Sequence, residues 1–159
     1  MQHEDHSIRP TPIPWPPILL VAAFASAIVL RRYQPLSWPG LDDWPARAIG
    51  ISIGIAGLVV LTWAVVTLMR SRTTVMPHKG VSSLVVSGPY RWFRNPIYLG
   101  DVMIMLGLAE ITKNLWFVVV AAIFAPLVTL LQILPEERHL EAKFGDTYRA
   151  YKERTRRWI

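Results

Sequence analysis

Between Ser87 and Gly100 the chain reads Ser87-Gly-Pro-Tyr-Arg-Trp-Phe-Arg-Asn-Pro-Ile-Tyr-Leu-Gly100, which sets two arginines and two prolines directly before an apolar segment containing an acid, Asp101. A second pair of charges, Glu136 and Glu137, follows another apolar run. If both runs enter one bilayer on the same side, arginines and glutamates stand level at the mouth of a helix bundle. A guanidinium there can grip a carboxylate, and carboxylates beside tyrosines can surround a cation or take a proton.

Each of these residues also has a plainer reading. Arg91 and Arg94 can anchor the membrane edge by snorkelling, Glu136 and Glu137 can be helix-start acids, and Pro89 and Pro96 can punctuate a loop. His78 reads as a solvated loop residue, and four scattered histidines make no metal site. Asp101 is harder to dismiss, because an acid inside a membrane segment is a functional-site hypothesis by default.

The elements that position these residues are membrane helices. The 159 residues suit one domain, and 52% of them are hydrophobic against 18% charged, with a mean hydropathy of +0.32. Thr11 to Leu30, Ala48 to Met69 and Asn114 to Pro135 contain no Asp, Glu, Lys or Arg, and each approaches the roughly 20 residues that cross a hydrocarbon core. The first run is not read as a secretory signal, since five prolines and two acids surround its start and Arg31-Arg32-Tyr33 is no small-residue cleavage site. With no cysteine, thiol nucleophiles and thiolate ligands are excluded.

A shorter apolar segment, Ile97 to Ala109, followed by Leu115 to Leu134, reads as a helical hairpin over 97–134. The expectation is an all-α integral membrane protein with about four transmembrane helices and a C-terminal interfacial helix. With the N-terminus inside, thirteen Lys and Arg lie on the cytoplasmic side against four outside, Arg31, Arg32, Arg47 and Lys113. Both termini are therefore expected in the cytoplasm. The same topology accounts for the net charge of +6 without nucleic acid. Gly50-Ile-Ser-Ile-Gly54 has the small-xxx-small spacing of close helix packing. Leu140, Phe144, Tyr148 and Tyr151 share one helical face, with an interruption expected at Gly145-Asp146, and Pro135 marks the start of this last helical segment.

Leu84-Val-Val-Ser-Gly-Pro-Tyr-Arg-Trp-Phe-Arg-Asn-Pro-Ile-Tyr-Leu-Gly100, then Glu136-Glu137-Arg138, then Phe144-Gly-Asp-Thr-Tyr148-Arg-Ala-Tyr151 resembles the isoprenylcysteine carboxyl methyltransferase and phospholipid methyltransferase family. The resemblance covers residues 74–159 of a single domain, with 1–73 as variable N-terminal helices. It implies a membrane enzyme that transfers the methyl group of S-adenosylmethionine to a lipid or lipid-linked acceptor at the cytoplasmic face. It further implies a cofactor site made by His78, Leu84, Val85, Gly88, Pro89, Tyr90, Arg94, Asn95, Pro96, Tyr98, Gly100, Glu136, Glu137 and Tyr148, with Arg94, Glu136 and Glu137 catalytic and no metal. Asn95 stands where many eukaryotic members carry a histidine, so no titrating base is available there.

The chemistry of the cofactor agrees with these residue types. Its sulfonium and ammonium need acids or aromatic rings, supplied by Glu136, Glu137, Tyr90 and Tyr98, and its carboxylate needs a cation, supplied by Arg94. Successive helical residues point about 100° apart, so one glutamate faces Arg94 and the cofactor, and Glu136 is the expected one. A small membrane-permeable thiol or another small molecule is an alternative acceptor. A sterol-reductase-like enzyme using a nicotinamide cofactor and a non-catalytic accessory protein are the alternative functions. Oligomeric state is not legible.

Overall fold

The computed structural model describes residues 15–40, 42–71 and 84–159. Helix α1 spans Trp15–Tyr33, α2 Trp44–Arg70, α3 Pro96–Thr112, α4 Trp116–Val128, α5 Leu134–Phe144 and α6 Asp146–Arg154. A 3-10 turn occupies Gly88–Arg91, and a π-helical turn, Thr129–Ile133, joins α4 to α5. No strand occurs among the described residues; a lone bridge pairs Phe93 with Arg156.

Among the described residues three helices are long and apolar enough to cross a membrane: Pro16–Tyr33, Trp44–Arg70 and the continuous helix Trp116–Phe144. Helix α2 starts where Asp43 accepts a hydrogen bond from the Ala46 amide at 2.9 Å and Pro45 needs no partner for a missing N–H. Helix α3 has Pro96 as its first residue but no side-chain cap from Asn95, and stops at Lys113 in the left-handed region (φ 50°, ψ 40°).

Residues at the hairpin tip close the far end of the bundle. The buried Asn114 donates to the Ala27 carbonyl at 3.0 Å, Trp116 Nε1 donates to the Gln34 carbonyl at 2.7 Å, and Arg31 donates to the Thr112 carbonyl. The Thr112 carbonyl is the last of α3 and has no partner within its own helix, and the other two contacts tie the tip to the body and the end of α1.

Small residues let α2 and α3 touch backbone to backbone. A Cβ at Gly54 would lie 3.2 Å from the Gly107 Cα, and one at Gly100 would lie 2.8 Å from the Gly57 oxygen. The Gly50 and Gly54 pair therefore works within the chain, against α3. On its other side α3 joins a core of Met105, Ala109, Phe117, Val120, Phe124 and Val128 around Ala27 of α1. Phe24 meets Phe117 edge to face at 5.7 Å. Ile18, Val21, Ile28, Ile49, Ile55 and Leu58 point outward, an apolar surface suited to lipid.

Pro135 does not start a new helix, contrary to the sequence expectation. In α geometry its ring would meet the carbonyl one turn earlier. The π turn directly before it widens the ladder, with the Leu134 amide bonding to the Thr129 carbonyl, and the helix runs on to Phe144. Glu136 and Glu137 thus lie inside a continuous helix rather than at a free N-terminus. The break expected at Gly145 is present, at φ 53°.

Candidate active site

The 3-10 turn is seated on the end of α2. Gly88 has φ +59°, where glycine is favoured, and a Cβ there would lie 2.6 Å from the Thr67 hydroxyl. Trp92 then packs on Trp63, with ring centroids 5.8 Å apart, and Pro89 and Tyr90 are buried beneath. These contacts fix the direction in which Phe93, Arg94 and Asn95 approach α3.

The C-terminal tail folds back over this segment. The Arg94 amide donates to the Arg156 carbonyl at 2.8 Å, the Arg156 amide to the Trp92 carbonyl at 3.0 Å, and Asn95 Nδ2 to the Arg157 carbonyl at 3.1 Å. Arg94 donates through Nε to Glu137 Oε1 at 3.1 Å and through Nη1 to the carbonyls of Lys152 and Thr155 at 2.9 and 2.6 Å. Arg157 adds two bonds to the same carboxylate, Nε to Oε1 at 3.1 Å and Nη2 to Oε2 at 2.8 Å. Arg94 and Glu137 are only 10% and 8% exposed, so the unit Arg94, Glu137 and Arg157 is a largely buried, hydrogen-bonded ion cluster.

The expected partner of Arg94 was Glu136, and the structure corrects it: Glu137 pairs with Arg94, because Glu136 is turned about 100° around the same helix. Glu136 instead bonds to the buried Gln132 of the π turn at 3.5 Å and lies within electrostatic reach of Tyr90, Tyr98 and Tyr148. Tyr98 is also within reach of Asp101, one turn further along α3. No hydrogen bond of the Tyr90, Tyr98 or Tyr148 hydroxyls or of the Asp101 carboxylate occurs among the described residues. Tyr151, by contrast, donates its hydroxyl to the Tyr90 carbonyl at 2.7 Å and docks α6 on the 3-10 turn. Burial raises the pKa of Tyr90 and Tyr148 and pushes Tyr151 up to about 12, so these rings stay neutral phenols near neutral pH.

Two groups of residues result. Arg94, Asn95, Glu137 and Arg157 satisfy one another and hold the tail. Tyr90, Tyr98, Asp101 and Tyr148 gather polar tips that make no hydrogen bond among the described residues, around Glu136, which holds one long bond from Gln132, with Pro89 and Pro96 buried beside them. Within this second group, Glu136 with Tyr90, Tyr98 and Tyr148 fits the cationic parts of S-adenosylmethionine, since an acid and ring edges with spare acceptors are what a sulfonium and an ammonium require. Arg94 retains only Nη2 for a carboxylate. Leu84 and Val85 lie half-buried ahead of the turn. Gly100 is used against Gly57 and Leu61 of α2 and so serves helix packing. His78 lies outside the described residues. Arg157, Tyr151 and Gln132 escaped the sequence reading; only the position of Tyr151 on one face with Tyr148 pointed to any of them.

A family model, phospholipid methyltransferase, matches residues 45–147. The chain belongs to the phospholipid methyltransferase family. The match reaches back through α2, further than the motif resemblance alone. An uncharacterized protein of Haemophilus influenzae is 40% identical over 65 residues, which is 40% of this chain and all of that one. Among solved structures, the eukaryotic intramembrane Ras methyltransferase ICMT (isoprenylcysteine carboxyl methyltransferase) superposes with a TM-score of 0.65 at 25% identity, over 92% of this chain and 53% of that one. The chain thus spans about half the length of that structure. Like it, this family member is an all-helical integral membrane protein among its described residues.

Proposed function

We propose that the protein is an S-adenosylmethionine-dependent membrane methyltransferase acting on a lipid or lipid-linked acceptor at the cytoplasmic face. The observation that carries the reading is the gathering of Tyr90, Tyr98, Asp101 and Glu136, open polar tips in an otherwise apolar bundle of this family's fold. Bound there, S-adenosylmethionine would supply a methyl group on a positively charged sulfur. Glu136 and the tyrosines would hold that charge, the tail clasp would close the site against water, and α3 would set the acceptor in line.

The same reading makes α3 a fourth crossing. Its 17 residues extend about 25 Å, and it pairs with α4 through the tip at Lys113 and Asn114. Residues 1–159 form one domain in this reading, and α6 lies at the cytoplasmic interface of a bacterial inner membrane, as the thirteen-to-four division of Lys and Arg supports.

Calorimetry on detergent-purified protein tests the proposal. S-adenosylmethionine and its demethylated product should bind, and a nicotinamide dinucleotide should not. Binding of the nicotinamide dinucleotide alone would point to a reductase, and binding of neither would point to a non-catalytic accessory protein.

A further inference from the structure

Asp101 is the one acid of the cluster that lies well inside an apolar helix. It sits five residues past the start of α3, one turn beyond Tyr98 on the same face, and is 6% exposed. A buried carboxylate without a partner is costly, and one within membrane depth more so. Yet among the described residues Asp101 makes no hydrogen bond and no ion pair. Trp38 Nε1 is the one buried side-chain nitrogen or oxygen among them that is both sealed off and unpartnered. The Asp101 carboxylate is thus buried without a partner among the described residues but not wholly sealed off.

The cations of the site cannot answer this acid. Arg94 is engaged by Glu137 and two carbonyls, and Arg157 is engaged by Glu137 through two nitrogens. A carboxylate acceptor placed beside Asp101 would add a second anion, while the guanidiniums of Arg94 and Arg157 are already paired with Glu137. A nucleophile that brings its own proton would instead supply the missing donor.

We infer that Asp101 is a catalytic residue on the acceptor side of the site, taking a hydrogen bond and then the proton from a protic nucleophile, an amine, hydroxyl or thiol. The inference rests on the methyltransferase reading above. In the step, the acceptor's lone pair takes the methyl carbon as the carbon–sulfur bond breaks with its electron pair left on sulfur, and the acceptor's proton passes to an Asp101 oxygen. Tyr98, between Asp101 and Glu136, separates the acceptor's acid from the cofactor's acid.

The test uses full-length protein in phosphatidylcholine nanodiscs, measuring S-adenosylmethionine binding and then transfer of labelled methyl to three probes. These are phosphatidylethanolamine, decanethiol and a farnesylated cysteine carboxylate. Transfer to an amine or thiol probe should exceed transfer to the carboxylate by about tenfold or more, and Asp101→Asn should lower that transfer by at least about tenfold. Cofactor affinity of Asp101→Asn should stay within about twofold, which also reports its folding. Asp101→Glu should retain part of the turnover. An aromatic thiol, already ionised at the assay pH, should narrow the gap between wild type and Asp101→Asn, which a merely structural aspartate would not do.

Preference for the carboxylate probe, no transfer to any protic probe, or equal turnover by wild type and Asp101→Asn would overturn the inference while leaving the methyltransferase reading intact. Loss of cofactor binding in both Asp101→Asn and Asp101→Glu would move Asp101 to the cofactor wall. Failure of the wild type to bind S-adenosylmethionine would sink both readings together.

Discussion

Arg94 and Glu137, 43 residues apart in sequence, meet at 3.1 Å in the buried join between the 3-10 turn and α5. Arg157 grips the same carboxylate from the tail. One acid thus holds the mouth of the bundle and the C-terminus together. Its sequence neighbour Glu136 points into the open cluster, so two adjacent glutamates have different work.

The first prediction follows from that division. Glu137→Gln leaves the Arg94 guanidinium buried without its counter-charge, and breaking such a pair costs about 3 kcal/mol. The expected outcome is a lowered unfolding temperature in detergent and faster tryptic cleavage after Arg154 and Arg156. Glu136→Gln should leave both unchanged and weaken cofactor binding or turnover by about tenfold, or 1.4 kcal/mol. Two variants with equal melting behaviour and equal activity would return both residues to plain helix charges.

The second prediction separates the two arginines. Arg94→Ala removes three hydrogen bonds and should weaken cofactor binding by about 1.5 to 3 kcal/mol, in step with release of the tail. Arg91 is exposed, and Arg91→Ala should change neither. Arg94→Lys keeps the charge and loses the fork, so it should rescue little. Calorimetry paired with limited trypsin digestion reads both effects. Equal losses from Arg91→Ala and Arg94→Ala would make both residues membrane anchors.

A third prediction tests the scaffold. The methyl of Gly107→Ala would sit 2.5 Å from the Gly54 Cα, a backbone atom that cannot step aside. Separating α2 from α3 should cost about 1 to 3 kcal/mol and loosen the seat of Gly88 on α2. Ile55→Ala, at an exposed position on the opposite face, should be close to neutral in the same thermal unfolding assay.

Residue patterns made much of this legible. Uncharged runs marked the long helices, the apolar segment from Ile97 marked α3, Gly145 marked the break before α6, and Gly50 with Gly54 marked close packing. The π turn was not legible, because proline ordinarily ends a helix and nothing in Thr129 to Ile133 signals that the ladder widens to carry it. That one-residue change also decides which glutamate meets Arg94, since it rotates the faces of everything after it. Arg157 was hidden for another reason. Its role depends on the chain turning extended at Thr155 (φ −127°, ψ 154°) and doubling back, and four cations among residues 152–157 look alike until that reversal is known.

The last prediction is the orientation of the bundle. Arg31 and Lys113 are tied into the hairpin tip, through Thr112 and Glu110, at the end opposite Arg94 and Arg157. Thirteen of seventeen Lys and Arg belong to the Arg94 end in the proposed topology, and the retention of positive charge on the cytoplasmic side predicts that this end faces the cytoplasm. The natural chain has no cysteine, so single-cysteine variants label without background. Leu36→Cys and Ile159→Cys, both at exposed positions, should divide cleanly in intact cells. An impermeant maleimide should reach Leu36→Cys from outside and should reach Ile159→Cys only after the membrane is opened. The reverse pattern would put the cluster of Tyr90, Tyr98, Asp101 and Glu136 on the side where S-adenosylmethionine is not made, and the cytoplasmic methyltransferase reading would fall with the topology.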